Sequence, residues 1–421
     1  MTEKIYVVTD IGPGDGGKGG VVHRLATLLP SCVVIKRGGA QGSHGVRTSR
    51  GRSYNFSQWG CGTFEGIPTF ISEQMIASPE GLLNEATALL GYGVHDPFRL
   101  ISADPRALVA TSFHGIASHV KELARGDNPR GTIGTGVGEA YRDYHQKPEL
   151  VIRIRDLYDP SIGDRLEAVF LYQREKLLPI LETGDFLPED SELLEREKQL
   201  LYDDNFLKYE TERFRQVAKL LRTASLYEIL DQHAHAVVES SHGVITDREC
   251  GFQPHVSAIR TLPIFTDNML RESGYDGTVV HLAVCRAYAI RHGAGPLPTA
   301  DPNLAEDLLP GSNKEANRWQ GSVRVGALDF VQMRKAISDS HPIKFDGLAL
   351  TWLDQIQRRG VWKFCNKYDK RGTPIIESII VPESLSGSEL FDFAAQIIAK
   401  HIDAPVRMVS FGPTERDKVL K

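Results

Sequence analysis

Apolar and polar positions fall along the chain in blocks whose spacing separates strands from helices. Residues 4–9 (KIYVVT) are rich in β-branched and aromatic side chains, as a buried strand requires. They run into a glycine-dense loop and then an apolar stretch at helical spacing over 21–29. That is a strand, a loop and a helix. Residues 32–36 (CVVIK) predict a second strand beside the first in a parallel sheet, ending in another glycine-rich turn at 38–44. From about 164 to 235 the chain is dense in Glu, Leu, Lys and Arg and poor in glycine, and 194–201 and 206–221 repeat apolar residues at helical spacing. A helical insert is expected there. Strand patterns return at 236–239, 278–284, 348–353 and 406–411, with an apolar helical face over 390–402 before the last. The class is therefore α/β, a large, mostly parallel central sheet with flanking helices. No internal repeat, low-complexity tract or Pro/Ser-rich linker divides it, so residues 1–421 read as a single domain.

Composition narrows the function classes. Hydrophobic residues make up 41% and charged residues 24% of 421, the proportions of an ordinary globular protein. Lys plus Arg number 49 against 54 Asp plus Glu, a net charge of -5, which is the wrong sign for holding nucleic acid by phosphate neutralisation. A local basic pocket stays open. Cys32, Cys61, Cys250, Cys285 and Cys365 are scattered and form no CxxC pair, so neither a zinc knuckle nor a disulfide framework is indicated and a reducing compartment fits. No signal-peptide pattern opens the chain, and no apolar run approaches the roughly 18 to 20 residues that span a bilayer. A cytoplasmic protein without membrane or nucleic-acid partners is expected.

Gly12-x4-Gly17-Lys18 has the spacing of a phosphate loop, in which backbone N–H groups and a lysine ammonium converge on phosphate at a helix N-terminus. Gly12, Gly14, Gly16, Gly17, Lys18 and Gly19 are the nucleotide-binding candidates. Gly19 stands where such loops carry the Ser or Thr that binds magnesium, so the metal must find an oxygen elsewhere, and Asp15 inside the loop can supply it. His44 closes the second glycine turn and would open onto the same sheet edge, where ligands of such folds bind. Glycine-dense stretches at 131–138 and 293–299 let backbone approach a ligand, although ordinary turns account for such runs equally well. In Thr351-Trp352-Leu353-Asp354 a carboxylate ends a strand candidate. It can accept from N1–H and the 2-amino group of guanine, which favours GTP, although a turn aspartate is an equal reading. His233 and His235 have chelating spacing but no partner carboxylates or cysteines in view.

Taken in order, GDGGKGG, RGGAQGSHG, MIASPEGLLNEATALLGYGV, GTIGTGVGEAYRD, ESSHGVITD, GFQPHVS, AYAIRHGAGPLPT, VRVGALD, TWLD and VSFGPTERD resemble the adenylosuccinate synthetase family over nearly the whole chain. The resemblance implies a homodimeric ligase with a fold related to phosphate-loop GTPases. It makes Asp15 the base that takes the N1 proton of a 6-oxopurine nucleotide and a magnesium ligand, with the peptide oxygen of Ser43 as a second ligand. O6 then attacks the γ-phosphate of GTP, His44 stabilises the developing charge, Lys18 holds phosphate, and the amine of aspartate displaces phosphate from C6. Asp354, Gly412 and Pro413 match the guanine-binding positions. ATP stays open as the donor.

The departures are concentrated on the substrate side. Thr132 and Ile133 stand at a threonine pair, Gln41 at an asparagine and His242 at a glutamine that face the purine nucleotide in the family, where Ser257 also falls. Lys147 is the nearest counterpart of an arginine that crosses the dimer. The arginine-rich loop that grips aspartate retains Arg324, with Arg318 as a substitute, and Trp352 replaces a lysine that packs on guanine. This pattern is that of a divergent paralogue. Relatives that act on a 2-amino-6-oxopurine nucleotide replace the loop aspartate with serine, whereas Asp15 is retained. A different C–N bond, or a GTP-binding regulator whose catalysis has decayed, are the alternatives.

Overall fold

The structure is a computed structural model and describes residues 2–312 and 314–421. An 11-stranded sheet organises it. From edge to edge the strands are Lys418–Leu420, Val406–Ser410, Gly347–Thr351, Thr278–Arg286, Lys4–Asp10, His235–Gly243, Cys32–Gly39, Thr69–Ala77, Ile101–Ala103 and Arg222–Thr223, with Leu108–Val109 also pairing with Thr69–Ala77. All pairings are parallel except that of the last strand, which doubles back antiparallel on Val406–Ser410. The first strand shows why helices must cover both faces. Val8 points into one apolar cluster with Val21, Val22 and Leu25 of the helix Lys18–Leu28, while Ile5 and Val7 point into another with Leu230, Met269 and Leu270. The insert is the helices Ile162–Thr183, Ser191–Leu201, Asp204–Leu220 and Leu226–Gln232. Phe170 and Phe214 of the insert extend the first cluster beyond the sheet.

Two local expectations are corrected. The second strand does not lie beside the first, because His235–Gly243 sits between them, with His235 in register with both Lys4 and Cys32. Its residues 236–241 are all buried, so its backbone needs a ladder partner on each edge, and only an interior position supplies both. The strand expected over 348–353 ends at Thr351. Trp352 takes a left-handed φ of 56° and turns the chain into the helix Leu353–Arg359, placing Asp354 in the first turn of a helix rather than at a strand end.

Candidate active site: a phosphate loop above a basic cleft

The first strand delivers Asp10 to the base of the phosphate loop. Its carboxylate accepts from Gly12 N (2.8 Å), Gly16 N (2.8 Å) and the Lys18 ammonium (3.0 Å). The loop is thus wound around a buried strand-end carboxylate, and the amides of Gly12 and Gly16 point at that carboxylate. Gly17 must be glycine: its φ is +90°, and a Cβ there would lie 2.4 Å from Trp352 and 3.1 Å from Thr351. It forms the N-cap of the helix Lys18–Leu28, whose first residues face the cleft.

Asp15 projects from this loop with a φ of 60°. Lys314 Nζ lies 2.5 Å from Oδ1 and His292 Nδ1 3.5 Å from Oδ2, while Arg286 Nε donates to the Asp15 carbonyl at 2.6 Å. Burial pushes the Asp15 carboxyl up, but the His292 hydrogen bond and the Lys314 charge outweigh it and hold the group well below the usual carboxylate range. Asp15 is ionised, an oxygen donor of the kind magnesium takes, but its charge is already met by Lys314.

His44 opens the short strand His44–Arg47, and its Nδ1 is 2.7 Å from Glu239 Oε1. Glu239 comes from the interposed strand and is fully buried. It also accepts from Lys36 Nζ (2.7 Å) and from the Cys61 amide (2.9 Å). His44, Cys61 and Glu239 lie close enough to share a cation, and Lys36 supplies the positive charge there. Burial disfavours every charge in this group. The attraction of Lys36 and His44 nevertheless holds Glu239 well below the usual carboxylate range, and Glu239 in turn raises Lys36. Burial pushes His44 down to about 4, against the pull of Glu239. The neutral ring therefore carries its proton on Nδ1 toward Glu239 and offers a lone pair at Nε2. Donation to a developing oxyanion requires a second proton, which the Glu239 charge and an anionic ligand both favour.

These groups open onto a cleft of about 2080 Å³, whose lining includes twelve Lys or Arg against six Asp or Glu. The chain is negative overall, yet the cleft is positive, as a site for phosphates and carboxylates should be. Gln41, Ser43, Thr132, Ile133, His242 and Ser257 line it together with Gly14, Asp15, Gly17, Lys18, Gly19 and His44. His242, at a φ of 62°, and Gln41 meet with 3.0 Å between their Nε2 atoms, and burial pushes His242 down to about 4, so the imidazole accepts from the amide. On the side expected to bind the base, Asp354 pairs with Arg358 at 3.0 Å, and the Trp352 ring packs 3.5 Å from the Arg286 guanidinium carbon. Gly412 and Pro413 line the same region. Lys418, pushed down to about 8 by burial, donates to the carbonyls of Pro413 (3.4 Å) and Thr414 (2.8 Å).

Three expected substrate contacts do not line the cleft. Arg324 donates to the carbonyls of Gly293 and Gly295, Arg318 pairs with Asp190 of the insert, and Lys147 lies beside Glu149 at 3.9 Å. Both guanidiniums have a local acceptor, whereas Lys147 is half-exposed. Conversely, Asp10, Lys36, Glu239, Arg286, His292 and Lys314 were not among the sequence candidates. Asp10 and Glu239 did carry a signal, as acidic residues at the ends of otherwise apolar strand runs. Lys314 carried none.

A sequence model of the adenylosuccinate synthetase family matches residues 7–392. The chain belongs to the adenylosuccinate synthetase family. It is 25% identical to the adenylosuccinate synthetase of Marinomonas sp. (strain MWYL1), covering 97% of this chain and 96% of that one. The structure of the fully ligated adenylosuccinate synthetase from Plasmodium falciparum superposes with a TM-score of 0.77 at 15% identity, covering 99% of each chain. The cyanophage S-2L succinoaminodeoxyadenylate synthetase, solved bound to dGMP and to dATP as an energy donor, gives 0.60 at 16% identity over 100% of this chain and 96% of that one. These likenesses establish the fold, and the family match makes the chain a nucleoside-triphosphate-dependent C–N ligase. Among the described residues no helix is long and apolar enough to cross a membrane.

Proposed function

We propose that this synthetase transfers the γ-phosphoryl group of GTP to O6 of a 6-oxopurine nucleotide, IMP or an analogue. The amine of aspartate then displaces it, giving adenylosuccinate or a related succinylamino purine, GDP and phosphate. The observation that carries the reading is the convergence of an ionised Asp15 and a Glu239-bound His44 on one basic cleft. Asp15 takes the N1 proton and so makes O6 nucleophilic, Lys18 and the loop amides not engaged by Asp10 hold phosphate, and His44 meets the charge that builds between O6 and phosphorus. Lys18 must first exchange Asp10 for phosphate. Magnesium would be held by Asp15 and the Ser43 carbonyl, where it neutralises phosphate charge. Gln41, Thr132, Ile133, His242 and Ser257 are the side chains proposed to face the purine nucleotide. Homodimer formation belongs to the same reading and is checked by light scattering.

A second reading takes dGMP as the substrate and an adenine nucleotide, ATP or dATP, as the energy donor. It is favoured by the pairing of Asp354 with Arg358, which occupies the carboxylate that guanine recognition needs, and by the likeness to the cyanophage enzyme. One experiment separates the readings: IMP, GMP and their deoxy forms are offered with GTP, ATP or dATP and a panel of amino acids, products are read by mass spectrometry, and a product formed only from dGMP with an adenine nucleotide supports the second. A succinylamino purine that forms only with IMP, aspartate and GTP supports the first. Nucleotide binding without any product in any combination refutes both and leaves a regulatory protein.

A further inference from the structure

We infer that Lys314 is the resident counter-ion of Asp15 and competes with magnesium for that carboxylate, so that the site takes up metal effectively only together with nucleotide. The inference rests on the proposed role of Asp15 as a metal ligand.

The Lys314 ammonium lies 2.5 Å from Asp15 Oδ1, with the two side chains 26% and 27% exposed. Its placement is built rather than incidental, because the carbonyls of Ser312 and Glu315 are met by the same two residues that face Asp15. Arg286 donates through Nε to the Asp15 carbonyl (2.6 Å) and through Nη2 to the Ser312 carbonyl (3.0 Å). His292 places Nδ1 3.5 Å from Asp15 Oδ2 and Nε2 3.0 Å from the Glu315 carbonyl. Arg286 is itself fixed, since Nη1 donates to the Tyr288 hydroxyl (2.7 Å), which donates to Gln355 Oε1 (2.8 Å). Two side chains thus bridge the phosphate loop to residues 312 and 315, and Lys314 lies between the bridges.

A carboxylate carries one negative charge, and a divalent cation can take Oδ1 only by displacing the ammonium. Bare metal meets this competition in full. When metal arrives with a nucleotide, the released ammonium stays in a cleft that now contains phosphate oxygens, so its loss from Asp15 is offset by a new charge-assisted contact. Lys314 therefore couples metal uptake to nucleotide uptake, without being a metal ligand itself.

The test measures Mn²⁺ binding by electron paramagnetic resonance on the full chain, with and without GDP. Without nucleotide, Lys314→Met should bind Mn²⁺ about tenfold more tightly than the native protein, a gain of about 1.4 kcal/mol. Lys314→Arg, which keeps the cation, should stay within about twofold of native. Arg130→Met, which removes another cleft cation, should gain little. With GDP the native and Lys314→Met affinities should converge. Equal affinities of native and Lys314→Met without nucleotide, or an equal gain in Arg130→Met, overturn the inference if Asp15→Asn still weakens binding. Unchanged binding in Asp15→Asn overturns the metal-ligand reading and the inference with it.

Discussion

Lys36→Met isolates what the buried Lys36–Glu239–His44 group contributes. Lys36 is 1% exposed and Glu239 0%, with 2.7 Å between Nζ and Oε1. At an effective dielectric of about 20, that separation corresponds to about 6 kcal/mol of attraction. Most of it offsets the cost of taking both charges out of water, so the pair contributes little net stability against an apolar replacement. Removing Lys36 alone is different, because Glu239 keeps its desolvation cost and loses its main counter-charge. The expected loss is about 3–5 kcal/mol. His44 then becomes the remaining neutralising partner, so its titration should move up from about 4. In the double variant Lys36→Met/Glu239→Gln no ion is left uncompensated, and more than half of the lost stability should return. Urea unfolding followed by fluorescence measures both, and the His44 ring resonances follow its titration. A loss below about 1 kcal/mol in the single variant, or a double variant no more stable than the single, refutes the reasoning.

Three further outcomes follow from the site. Asp15→Ala should abolish turnover and, because it strips Lys314 and His292 of their carboxylate partner, lower the unfolding midpoint without preventing folding; product formation by the purified variant would remove Asp15 from the chemistry. Gly17→Ala should destabilise by roughly 1–3 kcal/mol, since it combines a left-handed φ with a collision against Trp352, and a calorimetric midpoint equal to native would contradict that. His23, His44 and His242 are each pushed down from 6.5 to about 4 by burial, so below pH 6.5 the unfolded chain binds more protons than the folded one. The stability from keeping them neutral is full above about 6.5 and drains toward pH 4. Thermal midpoints should fall across that window and fall less in His23→Gln, whereas a flat profile in the native protein would count against it.

The parts of the site written in contiguous residues were legible from sequence. A strand that feeds GPGDGGK and then an amphipathic helix has few other ways to fold, and the loop, Asp15 and the helix start lie where that pattern puts them. The insert was equally plain, because glycine-poor stretches with apolar residues at helical spacing form helices in nearly any context. The order of strands was not legible. Nothing in residues 1–40 states that a strand some 200 residues later lies between the first two, and with that order went the Lys36–Glu239–His44 group. The partners of the two arginines were not legible for a related reason: a guanidinium takes the strongest acceptor within reach, and for Arg318 and Arg324 those acceptors, Asp190 and the Gly293 carbonyl, are tertiary neighbours. Trp352 was read from its neighbours as a strand residue, yet the positive φ that ends the strand there is a tertiary demand.

The interposed strand also sets an order of events during synthesis. Until residues 235–243 have emerged, Lys4–Asp10 and Cys32–Gly39 each present to the other an edge of unpaired N–H and C=O groups that this segment pairs in the folded protein. Their premature pairing would make a plausible but wrong sheet, with the phosphate loop beside the second glycine turn and neither Glu239 nor His242 between them. A chain halted before residue 235 lacks the strand that joins its two glycine-rich turns.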